Sequence, residues 1–516
     1  MFRAGDYSIE QEFTWIGDWV GKRAILSPNK EAIYDNIQNK RYTFNDLNLR
    51  ANKLARVMLN KGISKGDRVA MFSTNRIECV DLFLATGKIG AIFVPFNVRL
   101  SSLETENLIK KTKPSIFFYE TKLESNISEI KNKGLIEENI GMGGTSLNND
   151  PTTESLMKKV SDSDIDRPKL NLEDPHLILF TGGTTGLPKG AILPHRLLYW
   201  NSVNTILSWN LEPNDVQPLL FPLFHTGGWN VLLVPFFHSG AKTILMGDFK
   251  PEETIEVIEK EKCTIVIGVP TMFHMIANTS RFSSANFDSV RIFISGGAPC
   301  PVAIMEKYWA IGKLFKMGYG LTEVGPNNFY LPEKDIKQKP TSVGLPVLHC
   351  DMKIIDTKTN ATVKKGKVGE LLLKGPHIFS GYWDEPEETR KTIEPDGWVH
   401  TGDLAMQDKE GFYYIVGRRK EMYISGGENV FPVEIEELLF KHPAIDLAAV
   451  IGVPDEKWGE VGKAFITLKS GMTTTREEIK EYLTDKLAKY KIPKYFEIKD
   501  SLPTSATGKI LKKELK

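Results

Sequence analysis

An excess of charge of either sign is missing from this chain of 516 residues. Its 66 Lys and Arg nearly cancel 65 Asp and Glu, for a formal net charge of +1. That balance supplies no long-range field to gather nucleic acid or an acidic membrane surface, and neither is expected as a partner. Cysteine is scarce. Four residues, Cys79, Cys263, Cys300 and Cys350, lie far apart with no Cys-x-x-Cys pair. This argues against a disulfide framework or a zinc ribbon and for a reducing, cytoplasmic compartment. Apolar runs are short: Val231–Phe237 is interrupted by Pro235, so no transmembrane segment is expected. The first residues carry Arg3, Asp6, Glu10 and Glu12 and hold no apolar signal core.

Two common nucleotide signatures are also absent. No Gly-Lys pair is followed by Ser or Thr, as the Walker loop requires. Gly318-Tyr319-Gly320 has Glu323 where the dinucleotide fingerprint needs its third glycine. P-loop kinases and Rossmann dehydrogenases therefore lose ground.

What is present is a different phosphate loop. Thr181-Gly182-Gly183-Thr184-Thr185-Gly186-Leu187-Pro188-Lys189-Gly190 follows the apolar stretch Leu177–Phe180. Glycines let backbone N–H groups turn toward an anion, threonines add hydroxyl donors and the lysine adds charge. A surface hairpin explains the glycines and proline but not the threonines and lysine.

The chain is too long for one core. Thr43 and Asp46 predict a capped helix carrying Leu47, Ala51, Leu54, Ala55, Met58 and Leu59, closed by Gly62. Strands are expected at 67–72, 91–95, 115–118, 241–246, 264–269 and 290–295, with helices at 78–90 and 252–261. This alternation predicts α/β sheets, parallel in large part. The polar segment 121–170 reads as surface and connection. A second region starts near 417 with the charged run Gly417-Arg418-Arg419-Lys420-Glu421. A helix over 433–440, strands at 448–451 and 464–467, and a Thr475/Glu478 capping box predict a small α+β domain.

Several glycine-rich stretches each carry single polar groups: Ser295-Gly296-Gly297-Ala298-Pro299, Gly318-Tyr319-Gly320-Leu321-Thr322-Glu323, Trp398-Val399-His400-Thr401-Gly402-Asp403 and Pro503-Thr504-Ser505-Ala506-Thr507-Gly508-Lys509. Singly, each reads as a turn or a solvated charge. As an ordered set over essentially the whole chain, with 221–228 and 417–429, they closely resemble the adenylate-forming superfamily: acyl-CoA synthetases, luciferases and peptide-synthetase adenylation domains. The family's usual Ser stands as Gly182 here, which removes one hydroxyl donor.

The resemblance implies an α/β fold: a large N-terminal domain (1–416) with two packed αβ sheets and a distorted β-barrel, a hinge (417–422) and a small mobile α+β C-terminal domain (423–516). It implies an AMP-forming ligase using ATP, Mg²⁺ and coenzyme A. On this resemblance Thr181, Gly182, Gly183, Thr184, Thr185, Gly186 and Lys189 hold phosphates. Tyr319 and Gly320, with Gly297, Ala298 and Pro299, form the adenine slot. Thr322 meets the α-phosphate and Glu323 holds Mg²⁺. Asp403 takes the ribose hydroxyls beside Arg418, and Lys509 reaches the reacting centre. Lys420 is the hinge residue, and Gly426 and Gly427 pass the pantetheine arm. His225 is expected at the nucleotide or acyl site and Trp229 at the mouth of an apolar acid pocket. No Asp in 221–229 would pair a substrate ammonium, which disfavours amino acids. The expected acid is a medium- or long-chain fatty acid, with aryl acids such as cinnamates or succinylbenzoate as the runner-up. A luciferase-like oxidase and a non-catalytic nucleotide binder are the readings from other classes. The residues leave a homodimer open.

Overall fold

The computed structural model describes residues 13–147, 149–181, 188–505 and 507–515. The predicted β/α alternation builds two parallel-rich layers. In the first, seven strands lie in the order Gly381–Tyr382, Lys189–Pro194, Pro175–Thr181, Ile92–Phe96, Arg68–Phe72, Ile116–Glu120, Glu138–Met142. From Pro175–Thr181 onward all neighbours are parallel. The second layer has Lys40–Thr43, Glu31–Asp35, Lys242–Leu245 and Val216–Leu219. It continues through a Thr264 N–H to Val216 carbonyl bond (2.8 Å) toward Ile265–Gly268, Ile292–Ser295 and Phe315–Met317. Helix Ile77–Ile89 buries every residue but Glu78, as a helix enclosed on all sides must. The Thr43/Asp46 capping box forms as expected and opens helix Phe44–Asn60.

Six antiparallel strands make a third sheet, in the order Phe329–Tyr330, Ser342–Pro346, Tyr413–Arg418, Val399–Gln407, Val368–Lys374, Asp351–Ile355. The C-terminal region has its own sheet, built on Ile445–Asp455 paired with Gly459–Leu468. Helices Pro432–Phe440 and Arg476–Thr484 close its core through Ile435, Leu439, Ile479 and Leu483. The Thr475/Glu478 box caps the second of these.

The segment 121–170 departs from expectation. It contains helices Glu124–Asn132 and Thr153–Met157 and the parallel edge strand Glu138–Met142. A few apolar residues suffice at a sheet edge: Ile127, Ile130, Ile140 and Met142 are buried while the polar majority faces out.

The two regions meet at specific polar contacts. The Thr271 hydroxyl donates to the Gly508 carbonyl (2.9 Å) and the Arg99 guanidinium to the Ser505 carbonyl (3.1 Å). His274 Nε2 lies 2.7 Å from Asp446 Oδ1. Among the described residues no helix is long and apolar enough to cross a membrane.

Candidate active site

The site forms where parallel strands end, the usual crevice of an open α/β sheet. Val216–Leu219 leads to His225, Ile292–Ser295 to Gly297, and Phe315–Met317 to Tyr319. Strands Val399–Gln407 and Tyr413–Arg418 bring in Asp403 and Arg418 as direct cross-strand partners.

Asp403 is the electrostatic centre. Its Oδ2 accepts from the Tyr319 hydroxyl at 2.6 Å and its Oδ1 meets Arg418 Nε at 2.6 Å. The Thr401 hydroxyl accepts from the Asp403 N–H (3.0 Å). Burial pushes the Asp403 carboxyl above its ordinary range, and the Arg418 guanidinium opposes that shift. The Tyr319 phenol is pushed well up, by burial and then by the Asp403 charge. The Tyr319 hydroxyl thus stays protonated as the donor to Asp403.

Glycine is required at two positions here. A Cβ on Gly320 would stand 2.2 Å from the Pro326 carbonyl. Gly297 has φ +84°, and a Cβ there would stand 2.8 Å from Lys509 Cε. Lys509 therefore enters the crevice over a glycine from a loop of the C-terminal region. Its N–H donates to Ser505 Oγ (3.1 Å) and its carbonyl accepts from the Ser505 N–H (2.7 Å). Burial lowers its amine to about 8, with Arg418 lowering it further and Asp403 opposing.

His225 caps the short helix Thr226–Trp229, its Nδ1 accepting the Gly227 N–H at 3.0 Å. Burial, and next the Lys509 charge, lower its imidazole to about 3. The ring is neutral, and because Nδ1 accepts, the proton sits on Nε2 as a donor. Trp229 is fully buried. It stacks on Phe83 (4.7 Å, 15°), meets Phe93 edge-on and donates its N–H to the Leu223 carbonyl (2.6 Å).

Thr322 opens the turn Thr322–Val324 and is buried; Glu323 beside it accepts from the Tyr382 hydroxyl at 2.9 Å through Oε1. Thr181 and Lys189 are antiparallel cross-strand partners. Gly182, Gly183, Thr184, Thr185 and Gly186 lie outside the described residues. Lys189 pairs with Glu388 and sits 5.2 Å from the Tyr382 ring centre. Ala298 and Pro299 follow Gly297 at the crevice edge, Pro299 exposed.

Two expected groups stand apart. Lys420 is exposed in the turn between Tyr413–Arg418 and Tyr423–Ser425. Gly426 and Gly427 form the exposed tip of the next hairpin, with φ +60° and +89°. Tyr382, Glu388, Thr271 and Arg99 were not signalled by the sequence, because their roles come only from contacts made across the fold.

A family model described as AMP-binding enzyme matches residues 22–383, and one described as AMP-binding enzyme C-terminal domain matches 434–509. A feruloyl-CoA synthase of Amycolatopsis sp is 34% identical over 97% of this chain and 98% of its own. A long-chain-fatty-acid–CoA ligase of Bacillus subtilis is 32% identical over 95% and 92%. The fold matches ATP-bound MatB of Rhodopseudomonas palustris with a TM-score of 0.88, at 29% identity over 97% and 98% of the two chains. The apo form of the same protein matches at 0.79. The motif order, the crevice that joins Tyr319, Asp403, Arg418 and Lys509, and these matches over nearly the full length lead to one conclusion: the chain belongs to the AMP-binding, adenylate-forming enzyme family as an AMP-forming acid–CoA ligase.

Proposed function

We propose that this enzyme activates a compact aromatic or arylalkanoic acid and passes it to coenzyme A in two half-reactions that use different placements of a small domain, residues 423–516, swinging about 417–422. The supporting observation for the first half-reaction is the seat of Lys509 over Gly297 beside Asp403 and Arg418. In that half-reaction a carboxylate oxygen bonds to the α-phosphorus of ATP as the bond to pyrophosphate breaks. Lys509 holds positive charge where negative charge gathers on the phosphoryl oxygens. His225 Nε2–H and the Thr322 hydroxyl donate toward the same centre. Tyr319 offers its ring face to adenine, and Asp403 accepts from the ribose hydroxyls. Thr181, Lys189 and the loop between them take the leaving pyrophosphate once the Glu388 pair opens.

Glu323 fits a Mg²⁺ ion. Among the described residues only its Oε1 is engaged, and a hard cation of this kind needs one carboxylate with phosphate oxygens rather than a protein cage. Among the described residues no group of three acidic, histidine or cysteine side chains could hold a metal by itself. The ion would neutralise phosphate charge. In the second half-reaction the thiol sulfur bonds to the acyl carbon and AMP leaves. The exposed Gly426–Gly427 tip supports its assignment to the pantetheine passage after the swing.

The compact acid rests on Trp229. Four residues from His225, its fully buried indole is pinned by Phe83, Phe93 and the Leu223 carbonyl, a bulk that would shorten an acid pocket opening past His225. A fatty acid is the second reading, favoured by the likeness to the Bacillus subtilis ligase. A panel of aryl and alkyl acids in a pyrophosphate-release assay decides between them. Preference for benzoates, cinnamates or arylacetates is expected, and a preference for long alkanoates overturns the compact-acid reading. Trp229→Ala is expected to move the preference toward longer chains by roughly tenfold, as the space of one indole is opened.

The Lys509 amine gives the first half-reaction an alkaline limb. Only its charged form serves, and it is lost as pH rises through about 8. The kcat/KM for ATP should therefore fall about tenfold per pH unit above that point. Lys509→Arg should lower the rate but abolish the limb. His225, neutral across the working range, adds no acidic limb.

A further inference from the structure

Beneath the acid end of the crevice runs a vein of buried amides. Asn201 lies on helix His195–Trp209 and is 1% exposed; Asn230 ends the short helix capped by His225 and is fully buried. Their amide nitrogens are spent. Asn201 Nδ2 donates to the Asn230 carbonyl at 2.6 Å, and Asn230 Nδ2 to Thr226 Oγ1 at 3.0 Å. The bond to a carbonyl, which can only accept, fixes which end of the Asn201 amide is oxygen. Among the described residues neither Asn201 Oδ1 nor Asn230 Oδ1, both buried, has a hydrogen-bond partner. The vein is held from below, since Asn327 Nδ2 donates to Thr205 Oγ1 (2.8 Å) and to the Val231 carbonyl (2.8 Å), and Thr205 donates to the Asn201 carbonyl (2.6 Å). The Asn201 amide therefore cannot turn without losing its bond to the Asn230 carbonyl.

Their position ties them to the acid. Gly325 follows the Thr322–Val324 turn directly, has φ +68°, and a Cβ on it would stand 2.8 Å from Asn201 Oδ1. Thr226, which receives the Asn230 amide, follows His225. Both elements assigned to the reacting centre thus lead within a few residues to one of these amides. A buried acceptor without a donor is costly, and a ligand that supplies the donor gains what the free protein lacks.

We infer that Asn201 and Asn230 select an acid that carries a hydrogen-bond donor, a hydroxyl or an N–H, at the end remote from its carboxylate. This rests on the acid site assigned above but not on the acid being aromatic. The alternating pattern in the sequence gives no hint of it, because Asn on a helix face otherwise reads as surface.

The test uses acid pairs that differ only in the donor: 4-hydroxycinnamate against cinnamate, and a 6-hydroxyhexanoate against hexanoate. With the native enzyme, the donor-bearing member of at least one pair should show a kcat/KM for pyrophosphate release roughly tenfold to a hundredfold higher. Asn201→Leu, folded as judged by its unfolding midpoint, should erase that ratio whatever its absolute rates, since only the donor-bearing acid loses a partner. Should the variant fold poorly, binding of the two matching acyl-sulfamoyl adenosines to the native enzyme decides it. Tighter binding of the hydroxylated one by at least about tenfold supports the selection, and equal binding overturns it. An unchanged ratio in a folded Asn201→Leu variant also overturns it. If the alkyl pair shows the preference and aryl acids are inert, the compact-aryl reading fails while the donor selection stands.

Discussion

Lys509→Ala is expected to lower ATP–pyrophosphate exchange by about a hundred- to a thousandfold, the effect of removing one preorganised charge worth about 2–4 kcal/mol at a reacting centre. The magnitude follows from where the amine sits. It is carried into a crevice already holding the positive Arg418 and the buried Asp403, and its lowered affinity for a proton reports how little water is left to solvate it. A charge held there needs no reorganisation when negative charge develops on the phosphoryl oxygens. The same variant, given preformed acyl-adenylate and coenzyme A, should make thioester at close to the native rate, because the account gives Lys509 no part in that step. A loss shared equally by both half-reactions would show that the lysine holds the fold or the nucleotide generally.

Gly297→Ala should weaken the same half-reaction by displacing the lysine rather than removing it. The new methyl would meet Lys509 Cε at 2.8 Å, closer than carbon atoms approach, and Gly297 takes a backbone conformation (φ +84°) that alanine tolerates poorly. Two consequences separate. The backbone strain costs about 1–2 kcal/mol of stability, visible as a lowered unfolding midpoint. The steric block keeps the amine from its seat, visible as a loss of exchange of at least about tenfold with thioester formation from preformed adenylate spared. Exchange at the native rate in this variant would mean that the amine reaches the phosphate by another route.

The parts of this molecule that were legible in the sequence are those with local causes. The Thr43/Asp46 and Thr475/Glu478 caps need only neighbours three residues apart, and both form. Buried parallel strands announce themselves as apolar runs, and those at 68–72 and 265–268 fall where expected. Motif order placed Tyr319, Asp403, Arg418 and Lys509, and the fold brings them together. What was not legible depends on distant partners. Lys189 is held by Glu388, 199 residues away, and nothing in either local pattern marks the pair. Trp229, expected at a pocket mouth, is fully buried against Phe83 and Phe93, contacts that no local pattern marks. The segment 121–170 hid an edge strand because such a strand needs few apolar residues.

The central claim is that the two half-reactions need two placements of the C-terminal domain. His274 and Asp446, 2.7 Å apart across the boundary, offer a way to lock the placement seen here. All four native cysteines are buried, so cysteines introduced by His274→Cys and Asp446→Cys can be joined selectively with a short bis-maleimide. Measured before and after joining, ATP–pyrophosphate exchange should persist and thioester formation should stop. Thioester formation at an unchanged rate in the fully joined enzyme would contradict the account.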